Sequence, residues 1–202
     1  MNLMDSVHGG YVHGRRVRVL ARHLAQMIPA GPARVLDVGC GDGRLAALLQ
    51  ELRPELEVEG IDVLVRPGTP IPVREFDGRT LPFDDGAVDV VTFVDVLHHT
   101  EDPRVLLKEA ARVVRRAVVL KDHLCRGLLA RPTLRFMDWV GNARHGVVLP
   151  YNYQTPRQWA EHFAAVGLRV ADERTRLGLY PAWANWLFGR GLHTTTRLEP
   201  AR

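Results

Sequence analysis

Apolar residues recur at helical spacing over residues 15–28, where Val17, Leu20, Leu24 and Met27 or Ile28 share one face. The stretch Pro29-Ala30-Gly31-Pro32 ends that helix. Residues 34–38 then read as a short buried strand, Gly39 to Gly43 as a turn, and residues 44–52 as a helix stopped ahead of Pro54. A second strand covers 57–61. Residues 63–75 contain Pro67, Pro70 and Pro72, which a helix of that length would not tolerate, so an extended connection is predicted. A strong strand at 88–94, a helix at 103–114 and a strand at 117–121 follow. Beyond residue 125 the spacing predicts a helix over 128–142 and a loop over 146–153. The next helix has Thr155 as its N-cap, Pro156 at its first position and Gly167 as its stop. Two closing strands are expected near 168–177 and 191–198.

Strands alternating with helices along the first 125 residues imply a mostly parallel sheet with helices on both faces. Composition adds little to that. At 202 residues, 46% hydrophobic and 25% charged, the chain has the size and make-up of one α/β domain. Its net charge of +4 comes almost wholly from scattered arginines. The densest group, Arg112, Arg115 and Arg116, reads as a solvated helix end and not as a nucleic-acid patch. Cys40 and Cys125 make no disulfide framework and show no zinc spacing, so no metal is expected and a reducing, cytoplasmic setting fits. The N-terminal stretch has no signal-peptide pattern, and no apolar run approaches the roughly 18 residues that span a bilayer, so no membrane partner is expected.

The turn in Val35-Leu36-Asp37-Val38-Gly39-Cys40-Gly41-Asp42-Gly43 carries the chemistry. Its glycines let the backbone approach a ligand, and the helix behind it offers free N–H groups. Asp37 and Asp42 would repel a pyrophosphate placed there, and Arg44 stands where a dinucleotide fingerprint has its third glycine. A nicotinamide oxidoreductase is therefore disfavoured. A ligand with an ammonium and a sulfonium would be favoured by the same acids. About twenty residues on, the second strand ends at Asp62, whose carboxylate can accept from both hydroxyls of a ribose. The combination describes a nucleoside with a cationic tail.

These segments resemble class I S-adenosylmethionine-dependent methyltransferases. Residues 35–43 look like the first motif of that family, Gly60-Ile61-Asp62 like its acidic ribose motif, and residues 76–103 like the stretch from the adenine pocket to the fourth strand. The resemblance implies a three-layer Rossmann-like α/β fold, with a seven-stranded, mostly parallel sheet whose last strand is antiparallel. It implies S-adenosylmethionine as cofactor and S-adenosylhomocysteine as product. Asp37 would contact the methionine ammonium, and Gly39 and Gly41 would let the backbone pass close. Asp62 would hold the ribose and Val63 would pack on the adenine. Asp77 and Gly78 would meet the adenine edge, and Val94 would lie near the methionine moiety. Two features depart from the family. The helix between Asp62 and Asp77 is lost, and the proline-glycine-glycine turn before strand five is replaced by a tight connection expected at Arg115-Arg116.

The acceptor should sit beyond strands four and five, where Asp95, His98, His99, Asp122 and His123 follow the strand ends. Transfer to a hydroxyl needs a proton acceptor, so His98, His99 and His123 are the catalytic candidates. Residues 1–202 are read as one domain. It divides into an N-terminal lid and helix (1–30), a cofactor core (31–125), a lid insertion (126–153) and a closing segment (154–202). Tyr11 and Arg16 could close over the cofactor carboxylate, and the aromatics after residue 130 could line an acceptor pocket or pack the lid. The leading reading is methyl transfer to an oxygen or nitrogen of a small molecule. A macromolecular acceptor, or a cofactor-binding regulatory or scaffold protein without catalysis, remain as alternatives. Oligomeric state is not legible.

Overall fold

The first strand, β1 (Ala33–Val38), alternates its side chains between two cores: Ala33 and Val35 face one, Leu36 and Val38 the other. That alternation is possible only if helices cover both faces of the sheet. The computed structural model shows this arrangement and describes residues 3–142, 150–181 and 184–201. Helices α1 (Leu3–Met27) and α2 (Arg44–Leu52) cover one face, burying Leu24, Met27, Ala46 and Leu49. Helices α3 (Pro103–Val113) and α5 (Pro156–Ala165) cover the other with Leu106, Leu107, Trp159 and Phe163.

The remaining strands are β2 (Leu56–Asp62), β3 (Val73–Glu75), β4 (Val88–Val94), β5 (Val114–His123), β6 (Leu168–Arg174) and β7 (His193–Pro200). They form one seven-stranded sheet in the order β3-β2-β1-β4-β5-β7-β6. The pairings from β3 through β5 are parallel, and β7 runs antiparallel to both β5 and β6. This is the Rossmann-like methyltransferase sheet that the resemblance implies. Helix α4 (Ala130–Asn142) lies between β5 and α5. It tolerates Pro132 because that residue sits in its first turn, where the missing N–H is not needed.

Several local expectations shift. No helix separates β2 from β3, as the prolines require, but the extended connection ends in the short edge strand β3. There is no tight turn at Arg115-Arg116: α3 passes directly into β5 at Val114, and both arginines lie within the strand. Of the arginine group, Arg112 does sit in the last turn of α3 and is partly solvated, but it is also paired. Arg112 binds Glu109, Asp85 and the carbonyls of Leu81 and Phe83, so it pins the loop ahead of β4. Arg115 pairs with Asp89 at 3.0 Å. Each is recruited by a carboxylate from a distant element, which sequence spacing does not reveal. At the N-terminus one helix begins at Leu3, inside the stretch read as a lid, and continues through Arg16. No helix among the described residues is long and apolar enough to cross a membrane.

Thr155 caps α5 as expected: its Oγ1 accepts from Gln158 N, and the Gln158 side chain accepts from Thr155 N, closing a capping box. Thr155→Ala should lower stability by about 1 kcal/mol. Urea denaturation checks this, with the midpoint falling and the slope unchanged.

Candidate active site

The glycine turn is shaped by what must pass beside it. Gly39 has φ 71°, and a Cβ there would stand 2.6 Å from Val96 Cγ2. Gly39 therefore makes room for the segment that follows β4. Gly41 has φ 60°, and a Cβ on it would meet nothing within 4 Å, so this stretch of backbone faces open space. Gly41 N donates to Asp62 Oδ2 at 2.8 Å, and Leu64 N donates to Asp62 Oδ1 at 3.0 Å. The carboxylate at the end of β2 is thus held in place by two backbone groups, and each oxygen keeps a second lone pair for a ligand.

Asp62 lines a cleft of about 500 Å³ together with Gly39, Val63, Phe76, Asp77 and Gly78. Val63 is 57% exposed, an apolar face left open to the cleft. Asp77 Oδ1 accepts from the backbone of Arg79 and Thr80, at 2.8 and 2.7 Å, and these bonds hold the carboxyl below its usual range. Its other oxygen has no such backbone donor. The opposite wall comes from Val96, His99 and Thr100.

Asp37 does not line this cleft. It is 5% exposed and accepts from Thr92 Oγ1 at 2.6 Å, from the residue opposite it in the β1–β4 register. Burial pushes its carboxyl up to about 6, against the pull of that hydrogen bond. Val94 is also absent from the lining and packs against Leu20, Leu177 and Leu179. The strand end is taken instead by Asp95, a non-glycine residue at φ 58°.

Asp95 joins three elements. Its carboxylate binds Lys121 of β5, which is fully buried, and Arg16 of α1 at 2.5 Å. Burial would raise this carboxyl, but Lys121 and then Arg16 hold it well below the usual range. Arg16, which could have closed over the cofactor carboxylate, is here engaged with Asp95. Tyr11, its expected companion, has a side chain outside the described residues.

The three histidines converge nearby. His98 Nδ1 meets Asp122 Oδ1 at 2.6 Å, and Leu97 N donates to Asp122 Oδ2 at 3.0 Å. Burial works against charge on His98, but Asp122 overcomes it and raises the imidazole. His123 Nδ1 lies 3.3 Å from His98 Nδ1. Burial, and then the charge on His98, keep His123 well below its ordinary value. His99 is held down to about 4 by the same two causes, and its Nδ1 has no hydrogen-bond partner. Arg16, Asp95, all three histidines, Asp138 and Tyr180 border a second pocket of about 190 Å³. His99 is the residue that lines both cavities.

Asp95, His98 and His123 offer ligand atoms within 4.8 Å of one another, the spacing of a metal site. The donors are already committed, however. Asp95 lies between two cations, and His98 Nδ1 faces Asp122. Lys121 and Arg16 already neutralise Asp95, and Asp122 is engaged by His98 and by the Leu97 and His123 amides, so the cluster offers a cation few uncommitted donors.

A family described as a methyltransferase domain matches residues 11–173. The chain belongs to that family. S-adenosylmethionine is the cofactor this membership implies, and the cleft fits it with the bare backbone of Gly39, an anchored carboxylate at Asp62 and an apolar face at Val63; Gly41 anchors Asp62 and does not itself line the cleft. Among relatives, an uncharacterized methyltransferase of Mycobacterium tuberculosis is 39% identical over 98 residues, covering 45% of this chain and 50% of its own length. A demethylmenaquinone methyltransferase of Thermotoga maritima is 32% identical, covering 45% of this chain and 42% of the relative. The 27-O-demethylrifamycin SV methyltransferase of Amycolatopsis mediterranei is 32% identical, covering 55% and 48%. The chain spans about half the length of the curated relatives it matches. A solved S-adenosylmethionine-dependent methyltransferase of Mesorhizobium loti shares the fold with a TM-score of 0.66 at 18% identity, covering 88% of this chain and 96% of that one.

Sequence reasoning missed Lys121, Asp138, Phe76 and, of the wall after β4, Val96 and Thr100. Phe76 had a signal, an apolar residue directly before Asp77-Gly78. Lys121 had one too, as a lysine closing a strand of apolar residues. Of the aromatics after residue 130, Tyr153 is buried and donates to Asp138 at 2.5 Å, whereas Phe136, Trp139 and Trp186 are exposed. Trp183, like His145, lies outside the described residues. Asp95→Ala should destabilise the fold by about 3–5 kcal/mol, because it leaves Lys121 buried and unpaired. Adding Lys121→Met should recover part of that loss, and chemical denaturation of the single and double variants measures both effects.

Proposed function

We propose that the protein transfers a methyl group from S-adenosylmethionine to an oxygen or nitrogen of a small-molecule acceptor. The observation that carries this reading is the position of His99, which lines both the cleft that fits the cofactor and the pocket around Asp95. The relatives named for a demethylmenaquinone and a 27-O-demethylrifamycin support a small acceptor, and the second supports oxygen.

When bound, the cofactor supplies a methyl group on a sulfonium, already activated for displacement. This chain's residues supply alignment. Asp62 would accept from the ribose hydroxyls, Val63 would pack on the adenine with Asp77 and Gly78 at its edge, and Asp37, buried behind the cleft wall, would act on the ammonium through water. His99 is neutral at physiological pH, and its ring, which borders both cavities, would take the acceptor's proton through the nitrogen other than the buried Nδ1. His98 is poorly placed for that role, because Asp122 occupies its Nδ1 and favours its charged form. His98 positions the turn, and His123 remains a neutral wall of the pocket.

Two binding measurements test the cofactor half. Calorimetric titration should show binding of both S-adenosylmethionine and S-adenosylhomocysteine, weakened by roughly 1–3 kcal/mol in Asp62→Ala. Unchanged affinity in that folded variant would remove Asp62 from the ribose site. Because the Asp37 carboxyl is raised to about 6, its attraction for an ammonium is lost as pH falls through that value. Affinity for S-adenosylmethionine should therefore drop between pH 7 and 5, and Asp37→Asn should flatten that profile. His99→Ala should lower kcat with little change in cofactor affinity, read by transfer of a labelled methyl group to a panel of small phenols and amines.

A further inference from the structure

The connection from β6 to β7 encloses a space the cofactor cleft does not use. It turns at Thr175 to Gly178, runs through a single π-helical turn at Asn185–Gly189, and enters β7 at His193. These limbs and Arg126 border a cavity of about 670 Å³ that shares no lining residue with the cofactor cleft.

Its charge is one-sided. Arg126, Arg176 and Arg190 line it, all exposed, and no carboxylate is among the described residues of its wall. Elsewhere this arginine-rich chain meets its arginines with acids, as in Arg34–Glu59, Arg112–Asp85 and Arg169–Glu199. Here Arg190 reaches only the Leu187 carbonyl and the Thr133 hydroxyl, at 2.9 and 3.1 Å. Arg126 and Arg176 have no ion-pair partner among the described residues.

His193 also lines the cavity. It is 2% exposed; its ring faces the Phe188 backbone, and no side chain among the described residues hydrogen-bonds either ring nitrogen. Leaving a buried polar group unsatisfied is costly and calls for a partner. Its position opposite His123 in the β5–β7 register sets the two rings 5.1 Å apart, and the Tyr180 ring lies 5.8 Å away. His123 and Tyr180 are also walls of the pocket around Asp95. The basic cavity therefore backs onto the candidate acceptor pocket through a layer of aromatic rings.

We propose that this cavity is a binding site for an anionic ligand, a carboxylate or a phosphate, paired by Arg126, Arg176 and Arg190 with His193 at its inner wall. Guanidinium groups match the planar or tetrahedral oxygens of either anion, and a buried imidazole adds a directional contact. The claim is one of anion binding and stands apart from the proposed methyl transfer.

The test is calorimetric titration of the full chain with sodium phosphate and with sodium benzoate at constant ionic strength, with and without S-adenosylhomocysteine. Saturable binding of at least one anion is expected, weakened about tenfold in Arg126→Gln and in Arg176→Gln, with S-adenosylhomocysteine affinity unchanged. The His193 ring nitrogens should shift on titration in 15N spectra. Binding of phosphate alone assigns a phosphate-bearing ligand, and binding of benzoate alone assigns a carboxylate ligand. If neither anion saturates, or both arginine variants bind as the parent does, the site is overturned. Anion binding without S-adenosylhomocysteine binding would instead sink the methyltransferase reading and leave the anion site standing.

Discussion

The carboxylate of Asp95 is the constraint around which the carboxyl end of the sheet is arranged. Lys121 is fully buried on β5, and an unpaired ammonium there would cost several kcal/mol. Asp95 meets it from the adjoining strand end and takes Arg16 from α1 on its other oxygen. One carboxylate thereby ties together β4, β5 and the N-terminal helix. It does so from a left-handed backbone conformation that a non-glycine residue adopts only when its surroundings enforce it. Leaving β4 through that conformation leads directly into the turn Val96–Thr100, the wall of the cofactor cleft.

The same region separates three neighbouring histidines electrically. Lys121 and Asp122 are consecutive in β5 and so point to opposite faces of the sheet. Lys121 serves Asp95, while Asp122 accepts from Leu97 N and holds His98. With His98 biased towards its charged form, His99 and His123 are pushed towards neutrality. Burial lowers His99 and His123 first and the neighbouring His98 adds to it, while Asp122 raises His98; among the described residues His99 alone lines both cavities.

The cofactor side was largely legible in the sequence because it is local. Asp62 ends a strand, Gly41 precedes a helix, and Asp77 and Gly78 make a turn; each role follows from a few consecutive residues. The helices over 44–52 and 155–166 were legible for the same reason, through their periodicity and caps. The acceptor side was not legible. Arg16 meets Asp95 across 79 positions, and His98 meets Asp122 across 24, and no periodicity encodes such pairings. Val94 illustrates the difficulty: the strand was placed correctly, but the positive φ at Asp95 redirects the chain, so the following turn, not Val94, borders the cleft. The pairing of Arg112 was missed for the complementary reason, since its partners Asp85 and the Leu81 and Phe83 carbonyls belong to another loop.

This division between local and long-range construction bears on how acceptor choice is built. The cleft draws on β1, β2 and the short segments after them, where changing one residue breaks a turn or removes a ligand. The acceptor pocket draws on α1, α4 and the strand ends, and the basic cavity behind it on the connection between β6 and β7. The residues of that connection that line the cavity are mostly exposed or half-buried, so substitutions there leave the sheet's two cores untouched. An arginine at position 126, 176 or 190 can therefore be gained or lost at little cost to the fold. The buried ion cluster at Asp95 cannot change in that way, because each of its charges is compensated by another. The fixed charges hold the strand ends, and the exposed arginines lie outside that balance.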